Sequence, residues 1–351
     1  MKGRAGDAEV KMNAGHVVIP IFVPHEGCPF DCIFCNQKKI SGRKEPMTVG
    51  AIREITESHL KTVRPGTILE IGFYGGSFTG IERSLQLEYL SAAFEYVRSE
   101  KVSAVRLSTR PDYIDNEILD DLEKYGVKTI ELGVQSLDDG VLAASGRGHS
   151  AEDVYRASAL IQERGFRLGL QTMVGLPGDT WEKDMQTARR IIGLKPGFVR
   201  IYPVLVIRDT YLEKLLREGT YAPPSLDEAV EICASLLEMY EAAGIKVIRV
   251  GLQSSEDINE ASEVVAGPVH PAFRQLAEGR LALRRIETAL ESLDLKNARR
   301  IRIRTGQTNL SNVIGHRRSN LELLNKKYPG LQFKIEACDG FSKEISVIPA
   351  V

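Results

Sequence analysis

A chain of 351 residues with 43% hydrophobic content can bury one large core, or one large and one small. Its formal net charge of −1 excludes a strong global field, so any grip on nucleic acid has to come from a local patch. No apolar run reaches the ~20 residues that cross a bilayer, no signal peptide opens the chain, and five cysteines suit a reducing cytoplasm.

Residues 1–15 read as a polar, glycine-bearing tail. An apolar run at 17–23 reads as a strand, and it delivers the stretch His25-Glu26-Gly27-Cys28-Pro29-Phe30-Asp31-Cys32-Ile33-Phe34-Cys35. Three of the five cysteines fall there, spaced Cys-x3-Cys-x2-Cys. Thiolates so close together hold a metal or an iron–sulfur cluster, and three ligands leave one iron of a four-iron cluster open. His25 stands three residues before Cys28, so a Cys3His structural zinc site is the competing reading.

Beyond the loop, short β-rich runs alternate with amphipathic helices. Thr48 caps a helix to about 63, and Pro65-Gly66 ends it. Strands follow at 68–74, 102–108, 127–134, 167–174 and 198–206, with a further run at 246–250. Helices lie between them at 81–98, 116–124, 138–144, 151–164 and 226–243. Asp179-x-x-Glu182 reads as a capping box for a helix to about 192, and Thr210-x-x-Glu213 opens the next.

Six strand-then-helix units argue for an α/β fold with a parallel sheet, its strands apolar because both faces are buried. Distinctive residues follow the ends of all six strands, which favours a (β/α)6 partial TIM barrel over a doubly wound sheet with one switch point. They are Gly75-Gly76-Ser77, Ser108-Thr109-Arg110-Pro111-Asp112-Tyr113, Glu131-Leu132-Gly133-Val134-Gln135-Ser136 with Arg147-Gly148-His149, Met173-Val174-Gly175-Leu176-Pro177-Gly178, and Tyr202-Pro203. Each alone has a plain structural reading: a tight turn, a salt-bridged arginine, a glutamine satisfying backbone, a core histidine.

The cysteine spacing resembles the signature of the radical S-adenosylmethionine (SAM) enzymes. That resemblance implies a 4Fe-4S cluster held by Cys28, Cys32 and Cys35. It also implies S-adenosyl-L-methionine chelated by the open iron, and a 5′-deoxyadenosyl radical. The strand-end motifs, in this order, resemble the radical domain of the Elongator catalytic subunit, which modifies wobble uridine in tRNA; the likeness covers 16–252. It implies cosubstrate contacts from Phe34 beside the adenine, from Gly75, Gly76 and Ser77 at the amino group, and from Ser108 and Gln135 near the methionyl or ribose groups. Arg110, Met173 and Tyr202 complete the strand-end set, and His25 is then no ligand. A reducing donor such as flavodoxin or ferredoxin is implied as well. Elongator-type loops space the first two cysteines further apart, and their acetyltransferase domain has no room before Val351. Oxygen-independent coproporphyrinogen oxidases carry a further cysteine where this chain has Gln37.

The expected division is a tail at 1–15, the barrel at 16–252, a connection at 253–275 and a small α+β C-terminal module at 276–351. In the module a helix at 272–293 precedes a strand at 299–304, with Ile301 and Ile303 on one face and Arg300, Arg302 and Arg304 on the other. A helix at 316–327 and strands at 331–336 and 343–348 follow. Between Lys296 and Lys327 nine Lys or Arg residues face one acid, Glu322. That excess suits phosphates of tRNA or another RNA, or else forms a solvated face. Cys233 reads as a core position and Cys338 as a turn. Three readings result: a radical SAM enzyme acting on RNA, a radical enzyme acting on a small metabolite, and a zinc-stabilised RNA-binding protein without catalysis.

Overall fold

The computed structural model describes residues 15–23, 32–36, 46–251, 263–296 and 298–350. His25, Cys28 and most of the tail lie outside the described residues, as does part of the expected connection. In chain order the strands of the first part are β1 (His16–Val23), β2 (Ile68–Gly75), β3 (Ala104–Thr109), β4 (Val127–Gln135), β5 (Arg167–Val174), β6 (Phe198–Pro203), β7 (Val206–Ile207) and β8 (Val247–Val250). All but β7 form one parallel sheet in the order β1-β2-β3-β4-β5-β6-β8, the sheet of a partial barrel. Its helices are α1 (Val49–Leu60), α2 (Arg83–Arg98), α3 (Asn116–Lys124), α4 (Asp139–Ala144), α5 (Ala151–Glu163), α6 (Trp181–Leu194), α7 (Tyr211–Arg217) and α8 (Leu226–Ala242).

Side-chain caps start the helices: Thr48, Asp115, Asp138 and Thr210 each accept an amide hydrogen from the first turn, and Ser150 and Ser225 form full capping boxes. The expected box at Asp179 does not form. Thr180 is the cap of α6, its hydroxyl accepting from Lys183, because the half-buried Asp179 carboxylate instead takes the amide of Thr180 itself.

The rest of the chain adds β9 (Val264–Ala266), paired antiparallel with β7, and then α9 (Phe273–Glu291). A second sheet of β10 (Arg300–Thr305), β11 (Gln332–Ala337) and β12 (Ile345–Ala350) has β10 in the middle, with α10 (Leu310–Ile314) and α11 (Ser319–Lys327) between its strands in sequence.

Alternate residues of the large sheet divide its faces. Ile71, Phe73, Val105, Leu107, Ile130, Leu132, Leu170 and Ile201 pack with helix residues such as Leu90, Leu119 and Ile161. The opposite face departs from the expectation that both faces would be apolar. Glu70, Arg106, Glu131, Gln171 and Arg200 occupy it, shielded by the neighbouring strands. Glu131 is 0% exposed. It accepts from Arg106 Nη2 at 2.7 Å, from Gln171 Nε2 at 3.2 Å and from the Tyr74 hydroxyl at 3.4 Å. Arg200 Nε lies 2.7 Å from its second oxygen. Arg106 also donates to Glu70 at 2.9 Å. Burial works against the charge on Arg200, yet Glu131 and the flanking Tyr202 and Tyr74 hold its pKa above the ordinary arginine value.

Two carboxylates and two guanidiniums cancel, and each buried charge is satisfied only while its partners stay. Glu131→Ala strands Arg200 in a water-poor interior and leaves Arg106 with Glu70 alone, an expected loss of about 3–5 kcal/mol in urea unfolding. Glu131→Gln, which still accepts, is expected to lose less. Equal stability of the alanine variant and wild type would show that the network carries no weight.

Candidate active site

Above Glu131 the strands end in a ring of backbone irregularities. At Gly75 φ is +114°, and a Cβ there would lie 2.4 Å from the carbonyl oxygen of Val23. Only glycine lets β2 pass so close to the end of β1, so Gly75 fixes the point where the chain enters the cysteine loop. The Gly76 amide reaches the same carbonyl at 3.5 Å, and Ser77 follows, buried.

β4 ends in a bulge. Its register with β5 slips between Gly133 and Gln135, Gln135 takes φ +64°, and the Ser136 amide closes onto the Val134 carbonyl at 2.9 Å. A non-glycine residue in this region costs on the order of 1 kcal/mol and persists only where its surroundings impose it. Bulges of this kind re-aim side chains next to functional sites. Gly133 makes the space: a Cβ there would lie 2.7 Å from Arg147 Nη2 and 3.0 Å from Gln135 Nε2.

Backbone and side-chain hydrogen bonds tie the described part of the cysteine loop to the elements around this ring. Ile33 donates to the Ser145 carbonyl at 3.2 Å, Leu212 donates to the Ile33 carbonyl at 2.8 Å, and Asn36 Nδ2 donates to the Arg208 carbonyl at 3.2 Å. Ile33, Phe34 and Met173 pack around Val141, Leu176, Val204 and Leu212, so Phe34 and Met173 belong to one cluster.

Arg147 joins loop and ring. Its Nη1 donates to Cys32 Sγ at 3.3 Å and its Nη2 to the Gly133 carbonyl at 2.6 Å. It is buried and, among the described residues, has no carboxylate partner. A buried cation of that kind is balanced when the sulfur it touches is a metal-bound thiolate. Arg147 Nε and His149 Nδ1 are buried without partners among the described residues, a donor and an acceptor left for a polar ligand. The residues present therefore fit a thiolate-held cluster with a polar cosubstrate.

The other expected residues distribute themselves as follows. Ser108 lies on the inner face at the register of Glu131, and Met173 lies beside Tyr202. The Tyr202 hydroxyl accepts from Arg200 at 3.4 Å. The Arg110 guanidinium forks onto Asp112 at 2.9 and 2.8 Å, inside its own turn. A cavity of about 340 Å³ between α2 and α3 is lined by Glu82, Arg83, Glu117 and Asp121 and by none of the expected cosubstrate residues. Arg147 belongs to the Arg147-Gly148-His149 motif but not to the expected site residues, and its partner Cys32 is 115 positions away.

A parallel partial barrel whose strand ends gather around a cysteine loop is the architecture of a cofactor-dependent enzyme. Residues 22–191 match the radical SAM superfamily, and residues 196–283 match the radical SAM C-terminal domain. The chain belongs to the radical SAM superfamily and is an enzyme of that class. It is 28% identical over 264 residues to the tRNA uridine(34) acetyltransferase of Methanocaldococcus jannaschii, covering 64% of this chain and 49% of that protein. It is 34% identical over 143 residues to Elongator complex protein 3 of Saccharomyces cerevisiae, covering 40% of this chain and 26% of that protein. The solved structure of Methanocaldococcus infernus Elp3 with its N-terminus deleted superposes with a TM-score of 0.62 at 22% identity, over 85% of this chain and 67% of that one. The chain spans about half the length of the two archaeal tRNA uridine(34) acetyltransferases it matches. No described helix is long and apolar enough to cross a membrane.

His149 donates from Nε2 to the Val134 carbonyl at 3.2 Å. Burial first, then the cations Arg147 and Arg110, push its pKa down from 6.5 to about 4. A base with a lowered folded pKa contributes its full stability above pH 6.5 and loses it as the pH falls toward 4. His149→Asn is expected to flatten that part of the profile. The check is the urea midpoint of both proteins at pH 7 and pH 4.5; an unchanged difference between the two pH values would refute the assignment.

Proposed function

We propose that Cys28, Cys32 and Cys35 hold a 4Fe-4S cluster and that the strand ends hold S-adenosyl-L-methionine against it. The bridge from Arg147 to Cys32 Sγ and the Gly133 carbonyl carries this reading, because it ties the cysteine loop to the strained end of β4. Zinc gives no reason for the strain at Gln135, for the orphan atoms of Arg147 and His149, or for the close passage at Gly75. Bound there, the cluster and cosubstrate supply reductive cleavage to a 5′-deoxyadenosyl radical, with electrons from a low-potential donor such as flavodoxin or ferredoxin.

This chain's own residues do the positioning. Gly75 and Gly76 bring backbone close to the loop entrance, Gln135 is pre-aimed by its bulge, and Phe34 and Met173 offer an apolar wall. The substrate proposed is tRNA, from the names borne by the relatives. The expected barrel at 16–252 and module at 276–351 are retained as the working division.

Anaerobic reconstitution with iron and sulfide is expected to give a brown protein that converts S-adenosyl-L-methionine to 5′-deoxyadenosine when reduced, and Cys32→Ala is expected to abolish it. One tightly bound zinc in a colourless protein would overturn the cluster. Comparing the tRNA nucleosides of cells with and without the protein tests the substrate, and an unchanged profile would point to a small metabolite.

Hydrogen bonds and positive charge at cluster sulfurs raise a cluster's reduction potential. Arg147→Met is therefore expected to shift the midpoint potential to more negative values in a redox titration followed by electron paramagnetic resonance. A potential equal to wild type would remove Arg147 from the cluster's surroundings.

A further inference from the structure

Between α10 and α11 the backbone does something unusual. Gly315 takes φ +81°, and Arg317 and Arg318 follow at +50° and +69°. Glycine occupies such conformations freely; two arginines close together there cost on the order of 1 kcal/mol each. The surroundings impose the shape. Asn320, buried, donates its amide to the carbonyls of Gly279 at 2.9 Å, Asn312 at 3.0 Å and Val313 at 3.3 Å. Asn312 in turn donates to Glu278 at 2.9 Å. A Cβ on Gly315 would lie 2.6 Å from the Asn320 nitrogen.

What the loop displays is charge. Arg317 and Arg318 are exposed, and among the described residues neither side chain has a hydrogen-bond or ion-pair partner. Several arginines of this half of the chain are occupied. Arg302 pairs with Glu336 at 2.9 Å, Arg304 donates to Cys338 Sγ at 3.0 Å, and Arg285 pairs with Glu241 at 2.7 Å. The stripe on β10 that the alternation singled out is thus partly neutralised, while Arg317 and Arg318 stand unpaired among the described residues in the strained loop.

The loop also lies close to the barrel's opening. The His316 ring packs edge-on against His270 at 5.1 Å. His270 lines a hollow with Pro203, at the end of β6, and Gly251, just past the end of β8. Two unpaired guanidiniums fixed beside the strand ends match backbone phosphates, which arginine binds with paired N–H donors. The basic cluster Lys296 to Lys327 carries no interleaved aromatics except beyond its end, so the contact would be to phosphate and not to stacked bases.

We propose that Arg317 and Arg318 grip phosphates of an RNA strand at the mouth of the barrel. The inference rests on RNA being the substrate, and it assigns the binding to this loop in place of the β10 stripe.

The test uses the full chain and an unmodified tRNA transcript, with affinity measured by fluorescence anisotropy from 50 to 200 mM salt. Glycine relieves the strain, so the double variant Arg317→Gly with Arg318→Gly is expected to melt no lower than wild type. It is expected to bind more weakly, with the slope of log affinity against log salt reduced by about 1.4–1.8, for two lost contacts. Arg300→Ala with Arg302→Ala is expected to change the slope less. Wild-type binding with an unaltered slope in the glycine variant would overturn this assignment alone. Absence of tRNA binding by wild type would overturn the RNA reading and this inference with it. Binding abolished in wild type by millimolar inorganic phosphate, at constant ionic strength, would show a free-anion site and overturn the strand grip.

Discussion

A carboxylate with no solvent, Glu131, sits between Arg106 and Arg200, and the geometry of the barrel depends on it. In a medium of low dielectric such a charge is tolerable only with its partners in place, so each holds the others to one arrangement. The strands carrying them inherit that constraint. Glu131 is opposite Ser108 on β3 and Gly169 on β5. A slip of one residue would turn Glu131 toward the helices and Ile130 into the charged interior. Gly169 adds a steric check, since a Cβ there would lie 2.3 Å from the Phe198 ring and 3.1 Å from the Glu131 side chain.

β4 transmits this order upward. Glu131, Gly133 and Gln135 share its inner face at a period of two until the bulge breaks it. The first anchors the floor, the second receives Arg147 on its carbonyl and leaves room for the guanidinium, and the third is the strained residue at the rim. Arg147 then reaches Cys32. A continuous set of contacts therefore runs from the buried salt bridges to the cysteine loop, and on the other side Gly75 sets the loop's entrance against Val23. Precision at the rim comes from a rigid floor, which is how sites built on strand ends keep their geometry.

Much of this was legible in the residues. Strand and helix alternation gave the parallel sheet, and the motifs marked the rim because they recur after every strand, though each alone has a plain structural reading. The cysteine spacing pointed to the superfamily that the family match bears out. The inner face departs from the apolar expectation, although its signal stands in the residues: Arg106, Glu131 and Arg200 each interrupt an apolar run. Treating those runs as apolar on both faces hid a period-two intrusion of charge. Arg147 was missed for a different reason. Its role depends on a contact spanning 115 positions, and no local pattern encodes that. The cap of α6 went to Thr180 because Asp179 is drawn inward, where burial and the neighbouring Asp184 matter more than an N-terminal turn.

The second sheet is coupled to the barrel by a shared helix. Phe273, Ala277 and Leu281 of α9 lie in the barrel's core, while Ala282, Leu283, Ile286 and Leu290 lie in the core of the second sheet. Ion pairs from Arg280 and Arg284 to Glu231, and from Arg285 to Glu241, fasten the same helix along α8. Apolar cores resist relative sliding because their side chains interdigitate at close-packed density. Any group bound on the second sheet's loops is therefore held at a fixed attitude to the strand ends. Reactions between groups held on different parts of a fold depend on placement as well as retention. A helix common to both cores supplies that placement without a moving part.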